Sequence, residues 1–113
     1  MNKALFVKIE IEDLVPYKIF NTISAQRKEN VERANKAFSL AKYFYEKNII
    51  DDIGFKVFCL RHGFNKKRLV ASFSEISVIL GVDVELALAQ YAYIINLIKK
   101  NKNLLVLENE NKI

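Results

Sequence analysis

The spacing of apolar residues changes along the first half of the chain, from the period of a strand to the period of a helix. Between positions 5 and 12 every second residue is apolar, which is typical of a half-buried β-strand. From Lys28 to Asn48 the apolar residues recur at helical spacing and form a wide stripe, with charged residues on the remaining surface. The pattern therefore predicts a strand over 5–12 and a long helix over 28–48.

The next segment, 53–62, fits both periods. Phe55, Phe58, Cys59 and Leu60 suit a helix, whereas Phe55, Val57 and Cys59 also alternate. We favour a helix, which Asp51 or Asp52 could cap. The alternative is a hairpin that pairs 55–60 with 68–73 across the turn-like sequence Gly63-Phe64-Asn65-Lys66.

From Arg68 onward the pattern predicts an ordered series of elements. An extended piece over 68–72 precedes a short helix over 73–80, for which Ser74 is the expected N-cap. Gly81 allows a sharp turn, and Asp83 is placed to cap a second helix from Val84 to Lys100. A terminal strand follows over 104–108.

This order over 68–113, with the unit itself at 68–108, resembles the winged helix-turn-helix superfamily. The resemblance implies an α+β fold, mainly helical, with the N-terminal strand and the long helix added in front. It also implies that the second helix enters the major groove of DNA and that the wing touches the backbone or the minor groove. The same fold serves as a protein-docking module, so the fold alone does not decide the partner.

The second helix has two different faces. A rotation of 100° per residue places one apolar set inward: Ala87, Leu88, Tyr91, Ile94, Ile95 and Ile98, with Leu86 and Leu97 at the margin. The outward set is Glu85, Ala89, Ala92, Tyr93, Asn96, Lys99 and Lys100. Asp83 and Glu85 would repel phosphates at the end that usually meets bases. We therefore expect phosphate contacts from flanking residues, namely Lys66, Lys67, Arg68, Lys99, Lys100 and Lys102, with Tyr93 and Asn96 nearest the bases.

Composition favours one folded, basic domain spanning residues 1–113. Half of the residues are apolar and 27% are charged, which argues against disorder. Eighteen Lys and Arg against thirteen Asp and Glu give a net charge of +5, which favours polyanionic partners. The sequence shows neither an apolar run long enough to span a bilayer nor a leader pattern, so we expect a cytoplasmic protein with no membrane partner.

Candidate chemistry is sparse. Cys59 and His62 lie three residues apart, as a metal pair or an activated thiol would, but the chain has no other Cys or His to complete a site. The acidic groups at 10–13 and 51–52 are better explained by solvent-facing strand positions and by helix capping. The three glycines are dispersed and form no phosphate cradle. We therefore expect no catalysis, no cofactor and no metal.

The sequence thus predicts a small DNA-binding protein, regulatory or architectural, whose partner is double-stranded DNA. The alternative is a non-catalytic adaptor or small subunit that docks by apolar helix faces onto a larger nucleic-acid-processing assembly. The wide stripe of the 28–48 helix also leaves room for a homodimer.

Overall fold

The computed structural model of the protein describes residues 8–19 and 24–111, with side chains up to Asn101. Four helices make up most of this part of the chain: α1 (Ala25–Glu46), α2 (Asp52–His62), α3 (Phe73–Leu80) and α4 (Val84–Asn111). One 3-10 turn, Ile11–Asp13, precedes them. The described residues form no β-strand, so the predicted α+β class is wrong and the fold is all-helical.

Helix α1 confirms the long helix predicted over 28–48, although it begins earlier and ends earlier. Ser24 caps it by accepting a hydrogen bond from the Arg27 amide at 3.3 Å. Its apolar stripe is buried mainly in the second half, where Phe38, Ala41 and Phe44 pack into the core. Residues 24–30 are exposed on every side. The stripe is therefore largely covered within one copy of the chain.

Helix α2 confirms the helical interpretation of 53–62, and the alternative hairpin is wrong. Asp51 caps the helix by accepting a hydrogen bond from the Gly54 amide at 2.8 Å. The four consecutive residues 57–60 are all buried, although they point in four different directions around the helix. A helix buried all round loses its amphipathic period, which is why the sequence pattern there is ambiguous.

Helices α3 and α4 confirm the helix-turn-helix order. The cap of α3 is Ser72, two residues before the expected Ser74, because Ser72 and Glu75 form a reciprocal capping box. Gly81 adopts φ +66°, and the chain turns by 109° between the two helices. That angle is within the range of helix-turn-helix pairs. Among the described residues no single helix meets the length and apolarity of a membrane span; α3 and α4 meet them only jointly, across this bend.

The predicted N-terminal strand is wrong where the structure describes it. Residues 5–7 lie outside the described residues, residues 8–10 have no regular structure, and 11–13 form the 3-10 turn. Ile9 and Leu14 are buried against the helices. The described part of the predicted strand is therefore an irregular segment and a 3-10 turn that pack Ile9 and Leu14 onto the helices, with no strand among the described residues to pair with it.

The two strands predicted around α3 and α4 are wrong as well. Residues 68–72 form an irregular connection, in which the Ala71 amide donates to the Leu60 carbonyl at 2.9 Å. Residues 104–108 continue α4 without a break. The sequence from Lys99 to Glu108 contains neither glycine nor proline, so nothing in it ends the helix. No wing is present in the described part of the chain.

Candidate interaction surfaces

The basic sequence Lys66-Lys67-Arg68 lies in the turn that follows α2, and its three side chains have different roles. Lys66 and Lys67 are exposed. The Arg68 guanidinium instead donates to three backbone carbonyls, those of Val15 at 3.4 Å, Gly63 at 3.3 Å and Pro16 at 2.6 Å. Arg68, which was predicted to contact phosphates, thus already forms hydrogen bonds within the protein.

Aromatic contacts hold the same guanidinium in place. It lies 4.7 Å from the centroid of the Tyr17 ring, a cation–π geometry. The Tyr17 hydroxyl donates to the His62 carbonyl, and the Asn35 side-chain amide exchanges two hydrogen bonds of 2.9 Å with the Tyr17 backbone. Arg68 and Tyr17 therefore fasten the N-terminal segment to the end of α2.

Asn65 organises the turn from within. Its side chain is 0% exposed and forms two hydrogen bonds of 2.9 Å with the backbone of Leu69, one to the amide and one to the carbonyl. Gly63 ends α2 with φ +75°, and a Cβ there would lie 2.7 Å from the Tyr17 hydroxyl. Arg68 itself has φ +53°, a left-handed conformation that is uncommon for a non-glycine residue. Lys66-Lys67-Arg68 thus belongs to a turn whose conformation is fixed by buried hydrogen bonds.

The second predicted surface is the outward side of α4. All seven residues predicted to face outward are exposed, and Leu88, which the pattern places inward, joins them at 45% exposure. We call this surface the outer face of α4; it consists of Glu85, Leu88, Ala89, Ala92, Tyr93, Asn96, Lys99 and Lys100. Lys102 follows in the same helix, with a side chain beyond the described part.

The outer face changes character along its length. Glu85 stands at its start, with the exposed Asp83 just before the helix. The middle is apolar, with Leu88 and with Tyr93 at 50% exposure. Lys99 and Lys100 stand at the end. The face therefore runs from acidic through apolar to basic.

The position of Leu88 was detectable in the sequence. Among the side chains of α4 that the structure describes, Ala87 and Ile94 are buried, and rotation by 100° per residue puts Leu88 roughly 100–120° away from both. The predicted inward set includes Leu88 because the residue is apolar, and this assignment is wrong.

Cys59 and His62 do not form a reactive pair. Cys59 is fully buried, and burial raises the pKa of its thiol, which opposes formation of the thiolate. The His62 ring lies between α1, α2 and α4, with Nε2 2.9 Å from the Tyr91 hydroxyl. Burial lowers the pKa of His62, and the charge of Arg61 adds to the decrease. Both side chains contribute to packing.

Three of the acidic residues at 10–13 and 51–52, namely Glu10, Asp13 and Asp51, cap a helical turn. Glu10 and Asp13 bond reciprocally across the 3-10 turn, and Asp51 caps α2. Asp52 forms a side-chain hydrogen bond with Tyr45 that raises the pKa of the tyrosine. Across the described residues, no three His, Cys, Asp or Glu side chains are grouped so as to hold a metal ion.

Two of the surface depressions in the described part of the chain lie beside the basic turn and beside His62. One, of about 800 Å³, is bordered by the segment 15–18 together with Lys66 and Arg68. The other, of about 350 Å³, lies between the first half of α1 and residues Ile95 and Ile98 of α4. Both are open to solvent, and neither encloses a group of polar side chains that converge on one point.

Comparison of the chain with protein-family models found no match, and comparisons with curated proteins and with solved structures found none either. The resemblance to the winged helix-turn-helix superfamily therefore stays a prediction, carried by the α3–α4 geometry alone.

Proposed function

We propose that this protein is a small non-catalytic docking module that binds an amphipathic helix of a partner protein along the outer face of α4. The observation that carries the proposal is the exposure of Leu88 and Tyr93 on the side that a recognition helix would offer to DNA. The two side chains lie at opposite borders of the outer face, roughly 140° apart around the helix, and exposed apolar side chains of this size favour burial against another protein. Asp83 and Glu85, at the end that would meet the bases, oppose a phosphate backbone.

The charges specify the chemistry of the partner helix. Glu85 lies at one end of the apolar area and Lys99 at the other. A bound helix gains two favourable charge contacts if it places a basic residue near Glu85 and an acidic residue near Lys99. The middle of the face carries Ala89 and Ala92, whose small side chains let a second helix approach closely. The partner helix should therefore have an apolar stripe with a basic residue at one end and an acidic residue at the other.

A designed helical peptide tests this function. A fluorescent peptide of about five turns, with a Leu/Ala stripe between one Glu and one Lys, is titrated with dilute protein and followed by anisotropy. Its control has the same stripe with two like charges at the ends. We expect saturable binding of the first peptide, and about tenfold weaker binding after Leu88→Ser or Tyr93→Ser. Equal binding by parent and variants would refute the docking function.

Nucleic-acid binding is the second candidate, favoured by the 109° turn between α3 and α4 and by exposed lysines on both sides of the pair. Lys66, Lys67, Lys99 and Lys100 would then contact phosphates, with Lys102 beside them and Tyr93 and Asn96 nearest the bases. Duplex affinity is measured against salt for the parent and for Lys99→Ala with Lys100→Ala. The double variant should flatten the logarithmic salt slope by about 0.9 per lost phosphate contact. An unchanged slope would remove this candidate.

A further inference from the structure

We propose that the partner helix is α4 of a second copy, and that two chains associate through their outer faces with the two helices antiparallel. This inference rests on the proposed docking function and names its partner. Its basis is the spacing of three exposed residues, Glu85, Ala92 and Lys99, which recur every seven positions and lie along one line of the helix.

The charges along this line are self-complementary in one orientation only. Ala92 lies midway, and Glu85 and Lys99 lie about 10 Å from it in opposite directions, at 1.5 Å per residue. A twofold axis through Ala92 brings Glu85 of each copy level with Lys99 of the other, which gives two opposite-charge pairs. A parallel pair would instead place Glu85 beside Glu85 and Lys99 beside Lys99. The charges therefore select the antiparallel arrangement.

The apolar residues fit the same axis. Leu88 lies between Glu85 and Ala92. The twofold axis places Leu88 of the second copy on the other side of Ala92, so the two leucines cover both halves of the contact. Tyr93 is half exposed in the single chain and lies roughly 100° around the helix from Ala92, so it borders the contact on one flank. Because the alanine at the centre has no bulk beyond Cβ, the helix axes can approach to about 8 Å. The association thus buries the exposed Leu88 side chain of each copy.

The size of the face sets the expected strength. A single pair of crossing helices buries less area than a standard protein interface, so we expect a dissociation constant in the micromolar range, on the order of 10 μM. The dimer should weaken as salt rises, since the charge pairs lie at its solvent-exposed ends.

Sedimentation equilibrium of the full chain, over roughly 1 to 200 μM and after nuclease treatment, tests the inference around that expected constant. The parent should pass from the monomer mass to twice that mass. Glu85→Lys alone and Lys99→Glu alone should each raise the dissociation constant about tenfold, because symmetry turns two attractions into two repulsions. The double variant with both substitutions should recover the parent's constant. Lys42→Glu, an exposed change on α1, is the matched control and should have no effect.

Several outcomes would overturn the inference. A parent that stays monomeric over the whole range would do so, as would a double variant no better than the single ones, or association that disappears with the nuclease. A monomeric parent that still binds the designed peptide would overturn the self-association alone and leave the docking function standing. Circular dichroism of every variant checks that the exposed substitutions leave the fold intact.

Discussion

The turn after α2 and the outer face of α4 both carry exposed basic residues, but the protein uses them differently. In the turn, the Arg68 side chain bonds three backbone carbonyls and Asn65 bonds the backbone of Leu69. Along α4, the helix satisfies its own backbone and the side chains of its outer face stay exposed. Irregular backbone needs polar side chains to satisfy it, whereas helical backbone leaves them for a partner. Basic sequence alone therefore does not mark a binding surface.

The strongest test of the turn is Asn65→Ala. This change leaves the Leu69 amide and carbonyl without their partners in a buried site, so we expect a loss of about 3 kcal/mol in the free energy of unfolding. Urea unfolding followed by circular dichroism measures it. Lys66→Ala, an exposed neighbour, is the control and should change stability by less than about 0.5 kcal/mol. A loss no larger than that of the control would mean that Asn65 does not organise the turn.

Arg68→Ala should have the next largest effect. It removes the bonds to the carbonyls of Val15, Gly63 and Pro16 together with the stacking on Tyr17, for an expected loss of about 1.5 kcal/mol. Arg68→Lys should recover only part of this, because an ammonium cannot reproduce the planar guanidinium fork. Urea unfolding of the two variants beside Lys67→Ala gives the ranking. If Arg68→Ala matched Lys67→Ala, the arginine would be as free as the lysines.

His62 connects the two regions, since it ends α2 and contacts Tyr91 of α4. Because its pKa is lowered in the folded protein, the unfolded chain binds the proton more readily. The contribution of His62 to stability is thus fully present above about pH 6.5, its unfolded pKa, and is lost as the pH falls through the lower folded value. Urea midpoints at decreasing pH should fall more steeply for the parent than for His62→Gln. Parallel pH profiles would contradict this.

The outer face of α4 should show the smallest effect on folding. Leu88→Ser changes a side chain that is already half exposed, so the monomer should lose no more than about 0.5 kcal/mol. Its matched control is Ile94→Ala on the buried side of the same helix, which should cost about 3 kcal/mol. Both are measured by urea unfolding at low protein concentration. A large loss for Leu88→Ser would show that the residue belongs to the core and would remove the contrast with the turn.

Local patterns accounted for the helices well and for the strands poorly. The positions of α1, of α3 and of the first part of α4 follow from their apolar spacing, and Gly81 marks the turn between α3 and α4. The strand predicted over 5–12 failed over its described residues, 8–12, because alternation indicates a two-sided environment and does not show whether a neighbouring strand exists to share the hydrogen bonds. The terminal strand failed because no residue between Lys99 and Glu108 ends a helix.

The two candidate surfaces also differ in how far the sequence predicted them. The exposure of Ala92, Tyr93, Asn96 and Lys99 follows from the rotation of a helix, and the sequence specified it. The internal role of Arg68 does not follow from the local sequence, since its carbonyl partners at 15 and 16 lie more than fifty residues away in the chain.

By itself, the sequence of this protein determined where α1, α3 and the first part of α4 lie and which side of α4 faces solvent, because both depend on residues within a few turns of one another. Only the tertiary structure decided that 8–12 is not a strand and that Arg68 holds the N-terminal segment. Those outcomes depend on which distant groups fill a hydrogen bond or cover an apolar side chain, and a local pattern contains no information about them.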